Sequence, residues 1–176
     1  AEAAKYFTKA WDLAPDDKDL LIVISHLMVQ LGAREQAMAV LEKALEANGP
    51  TKPVLSIICR MALDMQMHDI AEKLARIFVE QFPDDADGYN TLANALGGQE
   101  KFEESIEMLQ QLIPIFESDA NLWNTLAAHV SMRDGYAASL VFYEQAAALA
   151  PNDYRIPNNL AKAYEHLDNF EEAAIW

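Results

Sequence analysis

The sequence predicts an all-α repeat protein, an α-solenoid built from antiparallel helix pairs. Three registers with a period of 34 residues predict it. Small residues recur as Ala3, Ala37, Ala71, Ser105, Ser139 and Ala173. A second small register runs Ser25, Cys59, Ala93, Ala127, Ala161, and an aliphatic one precedes it as Ile24, Ile58, Leu92, Leu126, Leu160. A fixed period of this length marks an array whose units bury their apolar faces on one another.

With Ala3 and its equivalents at position 20 of the unit, residues 1–17 are the second half of a repeat. Full repeats follow at 18–51, 52–85, 86–119 and 120–153, and 154–176 is partial, so the chain reads as a single array cut from a longer protein. Each unit reads as two helices. In 120–153, Trp123, Leu126, Ala127 and Val130 recur at i, i+3, i+4, i+7 and make one apolar stripe. Asp134-Gly135 predicts a turn, and Tyr136, Ser139, Leu140, Tyr143 and Ala146 form the second stripe. Pro151 ends that helix, and Asn152-Asp153 are N-cap residues for the next. The same punctuation stands at Pro15-Asp16-Asp17 and Pro83-Asp84-Asp85, with Gly49-Pro50-Thr51 as a variant. The small registers predict the points where helices of a pair cross too closely for a bulky side chain.

Repeat 86–119 departs from this pattern. Gly97-Gly98 stand where the first helix should finish, Pro114 falls inside the second, and Glu117 replaces the terminal proline. The second helix is expected to end early there and to change the local superhelix angle, with the glycines as drift in a tolerant linker or as a hinge.

These residues resemble the tetratricopeptide repeat (TPR) family. Trp123, Leu126, Ala127 and Val130 follow its first-helix pattern, as do Tyr89, Leu92, Ala93 and Leu96. Leu160, Ala161, Tyr164, Phe170 and Ala173 follow it in the last repeat, and Pro15, Pro83 and Pro151 match its terminal proline. The resemblance covers the whole chain and implies a right-handed superhelix with a concave groove lined by the first helices.

Half of the chain is apolar, which excludes disorder, and the run Leu20 to Leu31 is too short and too polar for a membrane span. The formal net charge is −15, with 5 basic and 8 acidic residues in 1–51, 5 and 13 in 52–119, and 3 and 7 in 120–176. Such a chain argues against nucleic acid and anionic membranes, and favours a neutral or basic partner over an acidic one. The single Cys59 excludes an internal disulfide. His26, His68, His129 and His166 fall at four different repeat positions without metal-ligand spacing, and no phosphate-binding loop occurs. Glu103-Glu104 and Glu171-Glu172 read as solvated helix starts. No cofactor and no enzymatic activity are expected.

The binding surface is expected on positions 2, 5, 9 and 12 of the first helices. That stripe includes His26, Arg60, Asn90, Asn94, Asn121, Asn124, Arg155, Asn158 and Lys162, together with Ile22, Val29, Leu63 and Gly97. Asn90, Asn124 and Asn158 are one repeat apart, and an amide offers both donor and acceptor to an extended peptide backbone. This resembles the asparagine-lined groove of O-GlcNAc transferases, whose ladder stands one position later, at Thr91, Thr125 and Asn159 here. The carboxylate clamp of other TPR proteins lacks its lysine and second cation. The expected function is a scaffold that binds a protein or extended peptide in the groove. The alternatives are a substrate-recruiting arm of a larger enzyme such as a glycosyltransferase, and an oligomerisation module that self-associates through uncapped apolar ends.

Overall fold

The computed structural model describes Tyr6, Lys9, Ala10, residues 12–14 and residues 17–176. Tyr6, Lys9, Ala10, Asp12 and Leu13 are helical. The elements that follow are α1 (Lys18–Leu31), α2 (Arg34–Asn48), α3 (Lys52–Asp64), α4 (His68–Gln81) and α5 (Ala86–Gly98). They continue as α6 (Phe102–Leu112), α7 (Ala120–Asp134), α8 (Tyr136–Leu149), α9 (Arg155–His166) and α10 (Phe170–Ala173). No strand occurs among the described residues. The described residues are all-α, with one helix pair following another as the period predicts.

Helix starts follow the capping logic. Asp17 Oδ1 accepts from the Leu20 amide at 2.9 Å, and Asp85 Oδ1 from the Asp87 amide at 3.0 Å. Asp119 Oδ1 accepts from Asn121 and Leu122 at 2.9 and 3.1 Å, and Asp153 Oδ1 from Arg155 at 3.1 Å. These carboxylates hold the same position of the repeat and satisfy amides that a helix start leaves unpaired. Thr51 holds the equivalent place without a side-chain cap.

Contacts group the chain into two compact units, Ala1–Thr91 and Leu92–Trp176, with the boundary inside α5. In the first, α3 packs on α4, and α1 packs on α2 and α3. Its core holds Ile24, Met28, Leu55, Ile58, Met61 and Phe78, all at most 1 % exposed. In the second, consecutive helices from α6 to α10 pack on one another. Its core joins Ala127, Tyr143, Ala146, Ile156, Leu160 and Ala163.

The registers behave as crossing points. All five aliphatic members, Ile24, Ile58, Leu92, Leu126 and Leu160, are buried. Ala71, Ser105, Ser139, Cys59, Ala93 and Ala127 are fully buried, while Ala161 and Ala173 of the last repeat are half-buried. Ala3 lies outside the described residues, as do the side chains of Ser25 and Ala37. The second helix of repeat 86–119 does end early: α6 stops at Leu112 and residues 113–118 run as turns and a bend around Pro114. The glycines are not linker drift. α5 runs through both, and a Cβ on Gly97 would stand 2.3 Å from His129 Nε2. Gly97 therefore permits the close approach of His129.

Candidate functional site

Most of the stripe belongs to the second unit. On α7, Asn121 and Asn124 are half-buried. On α9, Arg155, Asn158 and Lys162 are described: Arg155 and Asn158 lie at its start and Lys162 one turn further on. Arg155 and Asn158 are exposed, as is Asn94 on α5. The partner of Asn124 is Asn159 rather than Asn158: Asn159 Nδ2 donates to Asn124 Oδ1 at 3.0 Å, tying two first helices together. This bond leaves the Asn124 amino group and the Asn159 carbonyl as the complementary ends of the pair. Ser131 donates to the Ala128 carbonyl at 2.7 Å and is turned toward its own helix.

Arg155 is not an open cation. Its Nε meets Asp153 Oδ1 at 3.0 Å and its terminal nitrogen meets Oδ2 at 2.6 Å. The Asp153 bond holds the guanidinium above its ordinary pKa, and Arg155 in turn holds the Asp153 carboxyl below the usual range. The two-point geometry uses up the fork that would otherwise grip a partner carboxylate. No ion pair holds Lys162 among the described residues.

In the first unit, Asn90 is half-buried, Arg60 is exposed and Leu63 is half-buried. The side chains of His26, Ile22 and Val29 lie outside the described residues. Gly97 leaves the stripe altogether, because its open side is filled by the His129 ring.

One polar constellation escaped the sequence pattern. His129 Nδ1 lies 2.7 Å from Ser105 Oγ, and Phe102 stands beside the ring at 5.7 Å between centroids. A Ser–His pair invites a nucleophilic reading, but Ser105 is fully buried and His129 is 7 % exposed. Burial also pushes the imidazole down to about 4, which makes it a poor base at neutral pH. The pair belongs to the core. Cys59 behaves likewise: burial pushes its thiol up to about 12, so no reactive thiolate forms. Glu103 is exposed and pairs with Arg133 at 2.8 Å, while Glu171 and Glu172 are exposed at the start of α10. No three His, Cys, Asp or Glu side chains converge as a metal site among the described residues, and no described helix is long and apolar enough to cross a membrane.

Helix pairs in one phase, carboxylate caps at four of the helix starts and small buried residues at the described crossings define a helical-repeat protein. Tetratricopeptide repeat models match residues 1–56 and 86–118, and the chain belongs to that family of protein-interaction scaffolds. A comparison with curated proteins returns no significant match. Among solved structures, TTC0263, a thermophilic TPR protein of Thermus thermophilus, is 19% identical with a TM-score of 0.72, covering 90% of this chain and 87% of its own. A tetratricopeptide repeat protein from Parabacteroides merdae is 18% identical with a TM-score of 0.74, covering 99% and 68%. YrrB, described as a TPR protein with an unusual peptide-binding site, is 19% identical with a TM-score of 0.53, covering 97% and 88%. At such identities these neighbours speak for the fold alone.

Proposed function

We propose that this scaffold holds an extended peptide, or an extended segment of a partner protein, along its asparagine-bearing first helices. The observation that carries the reading is the Asn124–Asn159 bond between α7 and α9. Each amide spends one group on the other and keeps a donor or an acceptor for a main-chain partner. Asn121, Asn158 and Asn94 extend the polar surface of the second unit, with Lys162 as its cation; Asn90, Arg60 and His26 belong to the first unit. The partner is neutral or basic, since the chain carries a formal charge of −15. Nucleic acid and membrane surfaces are disfavoured on the same ground. The peptide-binding site named for YrrB adds support by analogy of fold. The test is an Asn90→Ala, Asn124→Ala double variant and an Asn158→Ala single variant against a partner captured with the unaltered protein. Helicity is retained and affinity falls; equal affinity removes the asparagine reading.

A further inference from the structure

We infer that a second recognition site lies beside Trp123, where an open cavity takes the cationic side chain, arginine above lysine, of a basic segment in a partner protein. The cavity measures about 440 Å³ and is lined by Glu117, Ser118, Trp123, Gln145 and Leu149. That volume falls within the roughly 300–1,000 Å³ typical of small-ligand sites. It owes its shape to the departure in repeat 86–119. Because α6 stops at Leu112, the chain enters α7 through an irregular segment. Glu117 stands there in place of the proline found at 15, 83 and 151.

The wall is fixed before any partner arrives. The Trp123 indole stacks on Phe142 at 6.3 Å with a 27° interplanar angle. Its Nε1 donates to the Glu117 carbonyl at 2.9 Å, so the ring cannot swing away. Three independent features then favour positive charge. Glu117 is the one acidic residue among those that line the cavity. α8 ends at Leu149 without a basic residue in its last turn, so the negative end of its dipole is uncompensated. The indole face attracts cations, and a planar guanidinium stacks on it better than an ammonium does.

No cation of the chain serves the cavity among the described residues. Arg133 pairs with Glu103 and Asp134, Arg155 pairs with Asp153, and no ion pair involves Glu117. Leu149, 37% exposed, offers an apolar wall for the methylene stem of a long basic side chain. Trp123 is one residue, about 100° of helix, from Asn124, so the cavity shares no side chain with the asparagine stripe.

The experiment titrates the isotope-labelled 176-residue chain with a blocked Gly-Ser-Arg-Ser-Gly peptide and with its citrulline twin, which keeps the shape and loses the charge. Saturable shifts are expected at the Trp123 indole N–H and at the Glu117 and Ser118 amides. Citrulline should bind about fivefold more weakly, the factor that one ion pair in water-like surroundings is worth. Glu117→Gln, a change at an exposed side chain, should cost a similar factor, while Glu107→Gln and Asn124→Ala leave the titration unchanged. The inference is overturned if no saturable shift appears at Trp123, if arginine and citrulline peptides bind alike, or if Glu107→Gln weakens binding as much as Glu117→Gln. Loss of partner binding in Asn124→Ala with an unchanged pentapeptide titration separates the stripe from the cavity.

Discussion

Ser105 and His129 meet inside the second unit, with the hydroxyl oxygen 2.7 Å from Nδ1 of the ring. The contact joins α6 to α7, and it turns a register defined by small size into a polar link. Ser105 is small enough for the crossing and polar enough to satisfy one buried ring nitrogen.

This burial makes stability depend on pH. The His129 imidazole has an ordinary value of 6.5 and is pushed down to about 4 in the fold. Between those values the unfolded chain binds a proton that the folded chain refuses. Stability is therefore intact above 6.5, falls as pH drops through it, and stops falling below about 4. The loss should be about 2 kcal/mol by pH 5 and roughly 3 kcal/mol by pH 4. Urea denaturation of the natural chain and of His129→Asn across this range checks it. The variant lacks the titrating ring, so the difference between the two curves should shrink toward acid; a constant difference would refute the assignment.

Gly97→Ala is expected to destabilise even though alanine favours helix over glycine by about 1 kcal/mol. The new methyl would stand 2.3 Å from His129 Nε2, and overpacking a filled site costs about 1–3 kcal/mol. Combining Gly97→Ala with His129→Ala should recover most of that cost, because the ring is the obstacle. Strict additivity of the two changes in a denaturation cycle would contradict the close-approach account.

In four described helix pairs the turn repeats a backbone state rather than a residue type, while the pair α7–α8 turns at Gly135 with φ of 91°. Gly32, Gln66, Glu100 and Asp168 have φ of 60°, 56°, 61° and 57°. Left-handed backbone costs an ordinary side chain roughly 1–2 kcal/mol, partly offset by the entropy that glycine loses on folding. Gln66→Gly and Glu100→Gly should each stabilise by up to about 1 kcal/mol. That would raise the melting temperature by about 2–4 °C in a chain of this size. A lowered melting temperature in both would contradict the strain assigned to these turns.

The period made the helix pairs, their caps and their crossing residues legible, because each depends on one position within one unit. Asp17, Asp85 and Asp153 could be placed from spacing alone. Contacts between repeats were harder to read. Asn124 bonds to Asn159, which is 35 residues on, so a strict 34-residue comparison pairs it with Asn158 instead. The approach of His129 to Gly97 joins two helices through residue types that no other repeat shares. The left-handed turn is hidden by its chemistry, since Gly, Gln, Glu and Asp have no common side-chain signature.

The crossing register itself can be tested at two depths. Ala71 is fully buried in α4, which packs on α3. Ala71→Leu adds three carbons where neither helix can yield, so a cost of about 1–3 kcal/mol is expected. The equivalent Ala173 in α10 is only half-buried. Ala173→Leu can turn its extra atoms toward solvent and should leave the melting curve close to that of the natural chain. Thermal unfolding followed by circular dichroism compares the two. A clear drop for Ala71→Leu with little change for Ala173→Leu is the result that helix crossing requires. An unchanged curve for Ala71→Leu would mean that small size at this register is not set by packing.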